Sequence, residues 1–329
     1  MRILKYASAL AVAVVMLLTI CACGGGETKD TATQVIYYTV TFDSVGGTDI
    51  PSMKVKKDSK ASVPTQPERE GYIFGYWQNG GREWRFDIDE VTADITLSAH
   101  WIDASAVYDY AMVSESKREI CITGIKKQYE NIKIPSSING NTVVSIGDGL
   151  FEGTKSEFVK SITLPETVRA VGENSFADCS GITIKIEGEL VSLGERAFAG
   201  CDGLTAVTLG EGLETIPYSA FSGCVALKDI RLPQSVSVIG ENAFEECEAL
   251  VSVMMHGSVA KIEDGAFRFC DALTTVYYFG TQTQFDAVSM AGKNDTLKDA
   301  RLCIYSEKEP TENGDFWYFD SKGKIKLWQ

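Results

Sequence analysis

The side chains best equipped for chemistry in this 329-residue chain are its nine cysteines, and five of them recur at nearly even steps: Cys179, Cys201, Cys224, Cys247 and Cys270. Thiolates attack carbonyls and hold soft metals. A metal site would draw on cysteine pairs a few residues apart, whereas these stand 22 or 23 residues from one another. A catalytic thiol needs a nearby histidine, and the chain has two, His100 and His256. Carboxylates are abundant, yet nothing fixes two of them at a working separation. There is no HExxH, no Gly-rich phosphate loop and no Ser-His-Asp order. The expectation is a non-enzyme with no catalytic residue, no metal ligand and no cofactor. Burial as small apolar side chains accounts for the five cysteines; disulfides between neighbouring repeats remain an open alternative, one that would leave one of the five unpaired.

What must position these cysteines is a repeat. Each lies three residues after a phenylalanine, Phe176, Phe198, Phe221, Phe244 and Phe267, and a further Phe151 precedes the series. Three residues past each cysteine stands Ile182, Leu204, Leu227, Leu250 or Leu273. Alternating stretches follow, among them VTL (207–209), IRL (230–232), VMM (253–255) and VYY (276–278). A fixed period near 23 predicts a solenoid, in which each coil buries its apolar face only against the next. The pattern IGxxAFxxCxxLxxIxLPxxV resembles the BspA-type leucine-rich repeat of bacterial surface proteins, over about 142–280 in six coils. Departures fall at Thr154 in place of Cys, at two extra residues before Val159, at a shortened ITIKI (182–186), and at Pro217 in place of Gly.

Ahead of the array, residues 36–101 are predicted to be β-rich. YYTVTF (37–42) and ITLSAHW (95–101) alternate with the period of half-buried strands. The order of motifs across 38–101 resembles the internalin-type B-repeat (Listeria-Bacteroides repeat), which implies a small β-grasp-like fold. Val45 stands where that family usually has Asn, and Tyr76 where it usually has Gly. Tyr72, Phe74 and Trp77 are expected in the module's own core, with Tyr76 on the opposite face and His100 a surface histidine.

The first residues have the form of a targeting segment. Arg2 and Lys5 precede an apolar run from Ala7 to Ile20, which ends in Ile20-Cys21-Ala22-Cys23. This resembles a bacterial lipoprotein signal (1–22), and implies lipidation at Cys23 followed by a flexible tether (23–35). The location implied is extracytoplasmic, lipid-anchored to the membrane of a bacterium and exposed at its surface. A net charge of −14 argues against nucleic acid as a partner. It also keeps the body of the protein off anionic lipid.

An open solenoid needs both ends covered. Residues 104–141 are expected to cap the first end through strands at 108–113, 119–125 and 131–134. Residues 281–329 are expected to cap the second through a short helix, a strand at 300–305 and a hairpin turning at Asp320 to Gly323. The fold class is therefore mainly β: a leucine-rich-repeat solenoid preceded by a small β-grasp-like module. Outward strand positions are Thr163, Lys185, Thr208, Arg231, Met254 and Tyr277, with His256 and Phe279 further along. Arg231, Met254, His256, Tyr277 and Phe279 form the candidate partner-binding patch, unless the second cap covers it. The expected function is adhesion or protein–protein contact, with a protein or cell-surface glycan as partner. The alternative is a carbohydrate-binding or wall-spacing protein that uses residues 36–101.

Overall fold

The computed structural model describes residues 35–127, 129–154, 157–311 and 314–328. The signal segment, Cys23 and nearly all of the tether lie outside the described residues. Residues 36–103 form a five-stranded sheet in the spatial order Met53–Lys56, Tyr37–Asp43, Ile95–Asp103, Tyr72–Asn79, Arg82–Glu83. Its two central strands, Tyr37–Asp43 and Ile95–Asp103, run parallel, and the outer pairings are antiparallel. Val40, Phe42, Trp77, Leu97 and Ala99 fill the core, with Phe74 and Trp101 packed against it. Phe74 and Trp77 reach one face, though three residues apart, because a bulge at Gly75 interrupts the pairing with Ile95–Asp103. A Cβ at Gly75 would approach the His100 carbonyl oxygen to 3.2 Å.

One expectation for this module is corrected: Tyr72 is outside its core and lies instead under the Arg69 guanidinium, 4.0 Å from its ring. His100 and Tyr76, both half-buried and outside that core, stack on each other with ring centres 4.5 Å apart. A further feature was not foreseen: Ile73 belongs to the hydrophobic core of the repeat array and Ile102 packs against that core. The module is thereby fastened to the array, and Ala104 N donates to Gly71 O across the junction (3.0 Å).

From Tyr108 on, the chain winds a solenoid of about eight turns. Six carry a ladder phenylalanine, and the caps wind as further turns. Strand Glu119–Ile125 pairs in parallel with Asn141–Ile146, which opens the repeats; Thr275–Phe279 pairs in parallel with Arg301–Tyr305, which closes them. In four of the six coils a glycine (Gly147, Gly172, Gly194 or Gly240) stands four residues before the phenylalanine, where the previous coil's backbone comes close; Pro217 and Glu263 take the place in the other two. A Cβ on Gly194 would lie 2.3 Å from Glu173 N, and one on Gly240 2.8 Å from Ile216 O. Two residues before each phenylalanine the backbone is left-handed: Gly149, Asn174, Arg196, Ser219, Asn242 and Gly265. Asn is suited to that region; Arg196 is held there by its neighbours, its peptide N–H donating to Tyr218 O.

The strand ladder is broken once. Strands Asn131–Lys133, Ser161–Leu164 and Thr183–Ile186 form one sheet, and Asp229–Arg231, Ser252–His256 and Thr275–Phe279 begin another. The predicted strand VTL (207–209) between them is absent, and Leu209 makes only an isolated bridge to Leu190. The break follows the shortened stretch at 182–186, and Leu209 meets Leu190 rather than Ile186. The second ladder breaks at the same coil, between Ser192–Leu193 and Thr215–Ile216.

Candidate binding face and the buried ladder beneath it

The cysteines lie on the inner side of the coils. The six phenylalanine rings stack from Phe151 to Phe267 with centroids 4.9 to 5.6 Å apart and planes within 14° of parallel. Each thiol donates to the carbonyl oxygen of the phenylalanine one coil back: Cys179 to Phe151 (3.1 Å), Cys201 to Phe176 (3.0 Å), Cys224 to Phe198 (3.2 Å), Cys247 to Phe221 (3.2 Å) and Cys270 to Phe244 (3.0 Å). The same oxygen accepts the peptide N–H of its own coil's cysteine, as Phe198 O does from Cys201 N (3.2 Å). A residue here must be small, apolar and able to donate once, and cysteine satisfies all three. Thr154 departs from the pattern in the coil that has no earlier ladder phenylalanine to serve.

All seven described cysteines are free thiols. Burial raises the Cys201, Cys224, Cys247 and Cys270 thiols well above the ordinary range, Cys270 to about 12, and also raises that of Cys303. Such groups stay protonated and unreactive. Among the described residues no three His, Cys, Asp or Glu side chains converge as a metal site.

The last coil replaces the missing next coil with side chains. Thr296 Oγ1 donates to Phe267 O, and Asn294 Oδ1 accepts from Phe267 N (3.0 Å). Asn294 is fully buried, and its Nδ2 also donates to the carbonyl oxygens of Glu263, Ala291 and Gly292.

On the outer side the expected row is in register except at Thr208, which lies in no strand: Thr163 is beside Lys185, and Arg231, Met254 and Tyr277 follow one another, with Cys303 next to Tyr277. The C-terminal hairpin covers its far end. Met254, Cys303 and Trp317 form a small buried core, with Tyr277, Phe279, Tyr305 and Phe319 packed around it. Met254 is 7% exposed and Trp317 fully buried. Phe279 sits between His256 (stacked, 4.3 Å) and Trp317 (edge-on, 4.7 Å). Met254 and Phe279 are therefore not open surface: the repeats leave an apolar end that the hairpin Phe316–Phe319 with Ile325–Leu327 closes. His256 has its pKa depressed by burial and then by nearby Arg231, and burial raises that of Tyr277.

Arg231 alone of the five is exposed. Its guanidinium lies 5.8 Å from the Phe319 ring and makes no ion pair with a carboxylate among the described residues. It stands in a depression of about 470 Å³ where the strand ladder is broken. Asp229, Ser252 and Tyr277 line it, with Val207 below and Ile325 of the hairpin at its rim. Ser252 Oγ donates to Asp229 Oδ1 (2.6 Å). Asp229 was legible as the outward neighbour two residues before Arg231; Ile325 had no repeat position to reveal it.

The BspA type leucine-rich repeat region matches residues 125–224 and 172–295 in six copies, which together span more than half the chain. The chain belongs to the BspA-type leucine-rich repeat family. The Listeria-Bacteroides repeat domain matches residues 38–100. A leucine-rich cell surface protein of Faecalibacterium prausnitzii has a similar fold, with 24% identity over 68% of this chain and 59% of its own and a TM-score of 0.50. The leucine-rich repeat protein of T. pallidum is 27% identical over 57% of this chain and 80% of its own, with a TM-score of 0.36. Two membrane proteins of Evansella cellulosilytica match 71 residues, one at 36% identity and one at 32%, each match covering 21% of this chain. The matched stretches are only 8% and 11% of those relatives. Among the described residues no helix of this BspA-type protein is long and apolar enough to cross a membrane.

Proposed function

We propose that this BspA-type protein is a non-catalytic bacterial surface lipoprotein that holds a macromolecular partner on the open strand face of its array, around Arg231. The support is the unpaired Arg231 guanidinium beside the depression left by the broken strand ladder. Toward the N-terminal end this face carries Thr163, Lys185 and Thr208, and toward the C-terminal end the hairpin closes it. A rigid polar face with one uncompensated cation suits an acidic segment of a partner protein. Lipid at Cys23 and a flexible tether would let the array sample partners at the cell surface.

The aromatic side chains of residues 36–101 give less support to carbohydrate stacking, because Phe42, Phe74, Trp77 and Trp101 pack on one another. The test is a photoreactive side chain at position 208 on intact cells. A discrete crosslinked protein is expected, and Arg231→Glu should abolish it. Crosslinks unchanged by Arg231→Glu would place the contact elsewhere. Cys23→Ala should release the chain from membranes; unchanged partitioning would remove the lipid anchor.

A further inference from the structure

The junction between residues 36–103 and the array holds a second recess, a cleft of about 730 Å³. That volume lies within the range of sites that take small ligands or short peptide segments. The cleft is built rather than incidental. Ile73 anchors one wall in the array's hydrophobic core, Lys133 pairs with Glu68, and Ser137 Oγ donates to Glu70 Oε1 (3.3 Å).

Its lining combines rings and carboxylates. Tyr72 and Trp101 come from the module and Tyr129 from the array. Five carboxylates line it, Glu68, Glu70, Glu130, Glu166 and Glu187, against two cations, Arg69 and Lys133, a local balance of 2 − 5 = −3. Two of the five are already engaged by cations, Glu68 by Lys133 and Glu187 by Lys185. Arg69 is occupied over the Tyr72 ring and lies 6.0 Å from that of Trp101, and Lys127 lies 5.3 Å from the Tyr129 ring. Glu130 and Glu166 are exposed, and their carboxylates make neither an ion pair nor a hydrogen bond among the described residues. An anionic or phosphorylated ligand would meet repulsion here. A lysine or arginine side chain would meet the free carboxylates of Glu130 and Glu166.

We infer that this inter-module cleft is a docking site for a basic segment of a partner protein. It is separate from the strand face around Arg231, where the depression is lined by one guanidinium and one carboxylate, Arg231 and Asp229.

The test uses the mature chain and three blocked probes: the peptide Lys-Ala-Lys, the peptide Glu-Ala-Glu and a trimer of N-acetylglucosamine, titrated calorimetrically at low salt. Saturable binding of the lysine peptide alone is expected. Glu130→Gln combined with Glu166→Gln should weaken it roughly fivefold to tenfold. The charge-matched pair Glu241→Gln with Glu248→Gln, exposed carboxylates elsewhere on the array, should leave it unchanged. Thermal unfolding of both variants checks that they fold. No saturable lysine-peptide binding, equal weakening by both pairs, or a preference for the glycan trimer or the glutamate peptide would each overturn the inference.

Discussion

The thiol of Cys224 donates to the carbonyl oxygen of Phe198, one coil back, at 3.2 Å, and the same contact recurs at five successive coils. The recurring sulfur is thus part of the stitching between coils. It is not an offering to a metal or substrate.

That arrangement makes the fold sensitive to alkali. Burial raises the Cys270 thiol from an ordinary 9.0 to about 12. Between those values an unfolded chain would release the proton and the folded chain would keep it. The thiol's contribution to stability is therefore complete below pH 9 and lost as pH rises through that window, by about 1.4 kcal/mol per pH unit. Urea unfolding at pH 8, 9.5 and 11 should show a falling midpoint. Cys270→Ala should flatten the decline while lowering stability at pH 8. An unchanged slope in that variant would mean the thiol ionises equally in both states.

The turn at Val45 carries strain. Val45 has φ 47°, a left-handed backbone that β-branched residues rarely adopt, and it is exposed. Asn tolerates that region. Val45→Asn is expected to stabilise the module by about 1 kcal/mol in thermal or urea unfolding. A loss of stability would show that Val45 makes an apolar contact that outweighs its strain.

The far end of the ladder depends on two polar side chains. Thr296→Val keeps the volume and removes the bond to Phe267 O, at an expected cost of about 1 kcal/mol. Asn294→Ala leaves Phe267 N and Ala291 O without their partner, while Glu263 O and Gly292 O keep the peptide N–H of Ala266 and Gly265, and should cost about 3 kcal/mol. Equal effects in calorimetric unfolding would contradict the distinction.

The hairpin closes an apolar surface. Trp317→Ala should cost about 3–5 kcal/mol and expose Met254, Tyr277 and Phe279 to a hydrophobic dye. Met254→Ser, a change at a buried position, should likewise lower stability more than Arg231→Ala, which removes an exposed side chain. Comparable losses at both positions would mean the hairpin does not cover the strand face.

The repeat was legible because Phe, Cys and Leu occupy fixed positions over many coils, and a period cannot arise from one local preference. The alternation of Tyr37–Asp43 and Ile95–Asp103 was legible for the same reason, since one face of each strand meets a core. What escaped notice depended on pairings without a period. The bulge at Gly75 shifts Phe74 and Trp77 onto one face. No strand forms at 207–209, next to the shortened stretch at 182–186, and Val207 lines the recess at Arg231. The hairpin that covers Met254 packs through Trp317, and alternation alone could not say which surface that ring would meet. The docking of Ile73 into the array is a contact between units, visible only once both have folded.

Native-state thiol labelling tests the central claim most directly, namely that the recurring sulfurs belong to the interior. Under folded conditions at pH 8, with labelled peptides identified by mass, Cys121 should react first among the described cysteines, being the one only partly covered. Cys179, Cys201, Cys224, Cys247 and Cys270 should react only at the rate of unfolding and all become reactive in denaturant. Rapid native labelling of any ladder cysteine, or ladder thiols still unreactive after denaturation without reductant, would contradict the buried, unbridged ladder.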